Sequence, residues 1–100
     1  MKINIASKEV IHFIGIGGIG MSGLAQIMDN MGFAVQGSDL SHSKNIDRLV
    51  KSKIKVYIGH SKKNVKNATI AVVSSAIKKN NKELLAAKEK KIPLYKRGDM

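Results

Sequence analysis

Cysteine is absent from this 100-residue sequence, which excludes a disulfide framework and a thiolate metal site. Long apolar runs are absent as well, so nothing here spans a bilayer as a helix, and no charged-then-apolar leader opens the chain. Arginine occurs only at Arg48 and Arg97, and the aromatic residues are Phe13, Phe33, Tyr57 and Tyr95. That is a thin inventory for reading base edges or stacking on bases, and it argues against nucleic acid despite the net charge of +11. The positive excess also lies wholly in residues 51–100, since residues 1–50 carry equal numbers of basic and acidic side chains. It reads as lysine filling solvated positions. Three histidines, His12, His42 and His60, are scattered without metal-ligand spacing, so no metal site is assigned. The pattern G-x-x-x-x-G-K-[ST] is missing, so machinery for nucleotide hydrolysis or transfer is not expected in these residues and no catalytic residue is assigned.

What remains is ordinary for one domain: 43% apolar residues, 25% charged, and enough Ile, Val, Leu and Met for a real core. A cytoplasmic location is the expectation.

The glycines are concentrated in one loop, Gly15-Ile16-Gly17-Gly18-Ile19-Gly20. Val10–Ile14 before it is apolar and β-branched, a buried strand. Met21–Met28 after it is helical, with Leu24, Ile27, Met28 and Met31 forming the expected inward stripe. Strand, G-x-G-x-x-G and helix in that order form the phosphate-binding fingerprint. Gly15 allows the turn, Gly17 leaves room for a phosphate, and Gly20 lets the helix lie close to the strand. Free N–H groups and the positive end of the helix dipole are expected to face a diphosphate. On this reading Gly17→Val blocks the ligand and leaves the fold largely intact.

In chain order, Met1–Lys8 is a polar lead-in or an extra edge segment. The first helix ends near Asn30, with Gly32 as its left-handed terminator. Phe33–Gly37 reads as strand two, stopping at Ser38-Asp39. A short helix follows over Asn45–Ser52, with Ile46, Leu49 and Val50 inward and Asp39, Ser41 or Ser43 as its cap. Ile54–Ile58 alternates as strand three, and a helical turn is expected around Lys63–Val65. Ala68–Val73 is a continuous apolar run, the mark of a central parallel strand. Asn80 or Asn81 caps a helix over Lys82–Lys91. Ile92–Tyr95 is a fifth, edge-like strand containing the single proline, Pro93. The expected fold is α/β: a Rossmann-like, doubly wound parallel sheet of about five strands in three layers.

Around the loop, Asp39 follows strand two at the position that accepts hydrogen bonds from ribose hydroxyls in dinucleotide-binding folds, or else caps the next helix. Ser38 caps or touches the same ligand. Ser74 and Ser75 leave the carboxyl end of strand four, where they are donors to phosphate or sugar, or form an ST-turn. His60 either reaches the ligand edge or is a solvated turn residue. His12 is expected in the core and His42 on the surface. The loop and Asp39 by themselves also suit an NAD-binding regulatory module.

The block His12–Ala25, with its G-I-G-G-I-G-M-S-G-L core, resembles the opening of the Mur ligases of peptidoglycan synthesis, in particular the member that joins L-alanine to UDP-N-acetylmuramate. Gly37-Ser38-Asp39, Gly59-His60, Val72–Ile77 and Arg97-x-x-Met100 recur in the same order, so the resemblance covers nearly the whole chain. Asn81-Lys82-Glu83 departs from the family's Asn-Pro-Glu, which should loosen that helix start slightly. The resemblance implies that residues 1–100 are the N-terminal domain holding UDP-N-acetylmuramate. ATP and magnesium would belong to central and C-terminal ligase domains absent here, so this chain would bind without turnover. It also assigns Gly15, Ile16, Gly17, Gly18, Ile19 and Gly20 to the diphosphate, and Asp39 to the nucleoside. Ser74 and Ser75 go to the diphosphate and sugar, and His60 goes to the substrate.

Overall fold

A computed structural model describes residues 9–18 and 20–97; the expectations for Met1–Lys8, Ile19 and Met100 lie outside the described residues. Five strands carry the apolar runs: β1 Val10–Ile14, β2 Ala34–Asp39, β3 Lys55–Ile58, β4 Ile70–Val73 and β5 Leu94–Lys96. Three helices alternate with them, α1 Met21–Asn30, α2 Lys44–Lys51 and α3 Lys82–Glu89, with a 3₁₀ turn at Lys62–Val65. All pairings are parallel, in the order β3-β2-β1-β4-β5. This is the expected doubly wound sheet, and its strand order reverses between β1 and β4. At that point Ile14 stands opposite Ser38 on one side and Val73 on the other, so the strands' carboxyl ends meet at the crevice where ligands of open α/β sheets bind.

Burial on both faces makes three layers. One face packs Ile11, Phe13 and Ile16 against Met21, Ala25 and Met28 of α1 and Ile46 and Leu49 of α2. The other packs Ala71 against Val65, Ala86 and Ala87, and Ile14 and Val73 against Leu84. Lys90 joins the 3₁₀ turn to α3, its Nζ donating to Val65 O at 3.0 Å and Lys66 O at 2.5 Å.

Several local expectations shift. β2 runs on through Ser38 and Asp39 because both residues pair with β3. β4 begins at Ile70, and Val10 N donates to Thr69 Oγ1 just ahead of it. The inward face of α1 is Met21, Ala25 and Met28, whereas Ile27 and Met31 are exposed. The small Ala25 lets α1 approach the sheet, which sets the helix rotation and leaves the larger residues outside. Val50 of α2 is likewise exposed. Ser43 is the α2 cap, its Oγ accepting from Ile46 N at 3.2 Å, and Asn81 Oδ1 caps α3 through Glu83 N and Leu84 N. Asn81 therefore caps normally despite Lys82.

Candidate functional site

The glycine loop turns at the crevice, with its own hydrogen bonds largely made. Gly15 N and Ile16 N both donate to Ser38 O at 2.9 Å, and Gly18 N donates to Gly15 O at 3.1 Å. The expectation of free amides at these three positions is thereby corrected: the loop closes on the end of β2. The Ile16 side chain is buried in the core. Gly17 N differs, because its partner is a side chain, Asp39 Oδ2, at 2.8 Å. Asp39 Oδ1 accepts from Leu40 N at 2.8 Å. With Ser43 at the head of α2, Asp39 is not that helix's cap; its carboxylate turns to the loop instead.

A Cβ at Gly17 would stand 2.8 Å from Asp39 Oδ2 and 2.9 Å from Ile46 Cδ1. Gly17→Val would therefore push aside the Asp39 carboxylate and the tip of the Ile46 side chain, with no backbone atom in the way. Asn45 Nδ2 adds a tie from α2 to Gly17 O at 3.1 Å. Gly20 has φ of 78° and heads α1 with no side-chain cap; Met21 N and Ser22 N instead donate to Gly18 O at 3.1 and 3.4 Å, so the loop backbone closes the first turn. The Arg97 guanidinium packs on Gly20, where any Cβ would overlap it. Arg97 has no expected role at the loop, and its only signal in the sequence is the closing Arg97-x-x-Met100 motif.

On the other side of the crevice, Ser74 N donates to Ile14 O at 3.1 Å. Ser74 Oγ accepts from Ala76 N at 3.3 Å, the ST-turn, and its Cβ lies 3.0 Å from where a Gly15 Cβ would be. Ser75 is exposed. Both serines line a cleft of about 660 Å³ bordered by Lys79, Lys88 and Lys96. Those lysines give the cleft a positive field.

Ser38 and Asp39 point to opposite faces of β2, as successive strand residues must. Ser38 is fully buried, so its hydroxyl is not a surface contact: it donates to Glu83 Oε1 at 2.6 Å and lies 2.8 Å from His60 Nδ1. His60 is no solvated turn residue, because its side chain is only 9% exposed and it is held by Ser38. His12 is fully buried as expected. Its Nε2 lies 2.6 Å from Glu83 Oε1. In the sequence Glu83 carries no assigned role and figures only as the last residue of Asn81-Lys82-Glu83; in the structure it lies in the first turn of α3. Its carboxyl is lowered to about 2. Burial alone raises it, and hydrogen bonds from His12, Ser38 and Asn64 outweigh that penalty.

A family description reading "Mur ligase family, catalytic domain" matches residues 10–100. The chain belongs to the Mur ligase family. A UDP-N-acetylmuramate–L-alanine ligase of Pelagibacter ubique is 65% identical over all 100 residues, which make up 22% of that relative. Among solved structures, a UDP-N-acetylmuramate–alanine ligase of Thermotoga maritima superposes with TM-score 0.84 at 32% identity, over 87% of this chain and 20% of the other. A UDP-N-acetylmuramate:L-alanyl-gamma-D-glutamyl-meso-diaminopimelate ligase of Neisseria meningitides gives 0.81 at 29%, over 89% of this chain and 28% of the other. This Mur ligase chain thus spans about a fifth of the length of the curated relative it matches. These relatives are ligases, which sets aside the NAD-binding regulatory module.

Proposed function

We propose that this chain is the UDP-N-acetylmuramate-binding domain, residues 1–100, of a cytoplasmic ATP-dependent ligase that joins L-alanine to the muramyl carboxylate. The observation that carries the reading is the 65% identity along the whole chain to a ligase of that specificity. A second L-alanine ligase, from Brucella anthropi, is 52% identical over the same 100 residues, which favours L-alanine over a peptide as co-substrate.

ATP and magnesium do not fit here. The chain has no G-x-x-x-x-G-K-[ST] loop, and among the described residues no three His, Asp or Glu side chains converge on a metal position. They belong to the remaining length of the ligase, and the role of this domain is to hold and orient. The diphosphate takes the Gly17 amide from Asp39 and lies toward Gly18 and the start of α1, with Arg97 alongside. Asp39, released, turns to the ribose hydroxyls. Ser74 and Ser75 border the sugar, and the lysine-lined cleft attracts its carboxylate.

An NMR titration of this chain with UDP-N-acetylmuramate, and separately with NAD, tests the reading. Amide shifts at Gly17, Gly18 and Asp39 are expected with the UDP-sugar and weak ones with NAD. Tighter binding of NAD at those amides overturns it.

A further inference from the structure

Beneath the carboxyl end of the sheet, on the face opposite Asp39, polar groups from β1, β2, the segment after β3 and the 3₁₀ turn converge on one carboxylate. Glu83 is fully buried. Its Oε1 takes His12 Nε2 and Ser38 Oγ, each at 2.6 Å, and its Oε2 takes Asn64 Nδ2 at 2.8 Å and Ser61 N at 3.0 Å. A buried carboxylate with this many donors is costly to place, and an apolar residue of similar volume stabilises a core at least as well. The position of each proton shows what the cluster does.

Gln36 Nε2 has two hydrogens and two acceptors, Asn64 O and His12 Nδ1, both at 2.8 Å. His12 Nδ1 therefore accepts, and His12 Nε2–H donates to Glu83. Ser38 has a single proton and gives it to the ionised Glu83. Toward His60 Nδ1, at 2.8 Å, Ser38 Oγ can only accept. His60 must then carry its proton on Nδ1, the tautomer that free imidazole in water disfavours, because the partner of one ring nitrogen decides the state of the other. Glu83 Oε2, 3.5 Å from Nδ1, is a second acceptor that favours the same tautomer, and in the neutral ring His60 Nε2 is left with a lone pair. It has no partner among the described residues, where no buried polar side-chain atom goes unpaired, so it reaches the surface. Gly59 N, bonded to Asp39 O at 2.7 Å, anchors this turn at the end of the strand that carries Asp39.

We propose that Glu83 is a positioning residue for nucleotide recognition: acting through Ser38, it holds His60 with Nδ1 protonated, so that Nε2 is presented as an acceptor to an N–H or O–H donor of the bound nucleoside. The inference rests on the nucleotide-binding reading above. Glu83 touches no ligand itself. The donor it prepares for is either the imide N–H of a pyrimidine such as uracil or a ribose hydroxyl.

Two measurements on this chain test it. Long-range ¹H–¹⁵N spectra of the free, histidine-labelled chain are expected to show His60 protonated at Nδ1 and bare at Nε2; the reverse tautomer overturns the inference without touching the ligase reading. Affinity for UDP-N-acetylmuramate is then compared in Glu83→Gln and in Ser38→Ala, the latter a smaller change that keeps the cluster testable if the former does not fold. A loss of about tenfold is expected in a folded variant, the worth of one hydrogen bond, together with a fall in the Nδ1-protonated share. Unchanged tautomer and affinity in folded Ser38→Ala overturn the positioning role. Failure of the unsubstituted chain to bind any UDP compound overturns the ligase reading and this role together. N3-methyl-UDP and 2′-deoxy-UDP identify the donor: one of them should lose affinity for the unsubstituted chain and lose nothing further against Ser38→Ala. If neither does so, no nucleoside donor meets His60.

Discussion

Asp39 Oδ2 lies 2.8 Å from the amide nitrogen of Gly17, so the glycine loop holds a carboxylate of its own chain where an incoming anion would bind. The arrangement makes Asp39 a competitor for diphosphate and a partner for ribose at once. Asp39→Asn separates the two. Removing the charge should tighten inorganic diphosphate by about threefold to tenfold, the range of a single screened charge interaction. It should weaken UDP-N-acetylmuramate by about tenfold through the lost charge-assisted bonds to hydroxyls. Isothermal titration with both ligands checks the opposite signs; weakening of both would mean that Asp39 does not compete.

Much of this fold could be read from local pattern. The strand, glycine loop and helix from Val10 to Asn30 stand where the sequence places them, because turn chemistry and apolar periodicity act over a few residues. Of the stripe expected on α1, Met28 is buried and Leu24 packs against the core, whereas Ile27 and Met31 are exposed because close packing selects Ala25 in their place. The role of Glu83, present in the sequence only as the end of Asn81-Lys82-Glu83, is hidden for a different reason. Its partners His12 and Ser38 lie 71 and 45 residues away, and no periodicity records a contact at that range. Asp39 is expected from sequence beside the ligand, but its bond to Gly17 needs the loop in three dimensions.

Glu83 also makes stability depend on pH. Its carboxyl stands at about 2 in the fold against 4.5 ordinarily, so the folded chain holds this proton more weakly than the unfolded one. The contribution is full above the ordinary value and fades as pH falls from near 5 through about 2. By linkage it is on the order of 3 kcal/mol. Urea denaturation followed by circular dichroism should lose stability across that window. Glu83→Gln should be less stable at pH 7, with a pH slope smaller by about one proton.

Gly37 lies where β2 passes under the loop. A Cβ there would stand 2.5 Å from Ile16 Cδ1 and 2.7 Å from both Ile16 Cβ and Phe13 O. Ile16 and Phe13 are themselves fully buried, and a backbone oxygen in a paired strand cannot rotate away. Gly37→Ala should therefore cost about 1–3 kcal/mol, the usual penalty of overpacking, seen as a lower urea midpoint. Amide shifts should centre on Gly15–Gly18.

Both α2 and α3 end on a lysine in the left-handed region, Lys53 at φ 66° and Lys91 at φ 58°, where glycine commonly terminates a helix. A side chain in that conformation costs roughly 1–2 kcal/mol. Lys53 is exposed and follows Ser52, the cap of α2, and the strain there is the backbone's alone. Lys53→Gly relieves it. Glycine's greater freedom in the unfolded chain offsets part of the gain, leaving a net stabilisation of about 0.5–1 kcal/mol. For a domain of this size that raises Tm by roughly 2–8 °C, measurable by calorimetry. Lys53→Ala removes the same charge and keeps the strain, so it should leave Tm nearly unchanged. An equal rise in both variants would assign the effect to charge and not to backbone conformation.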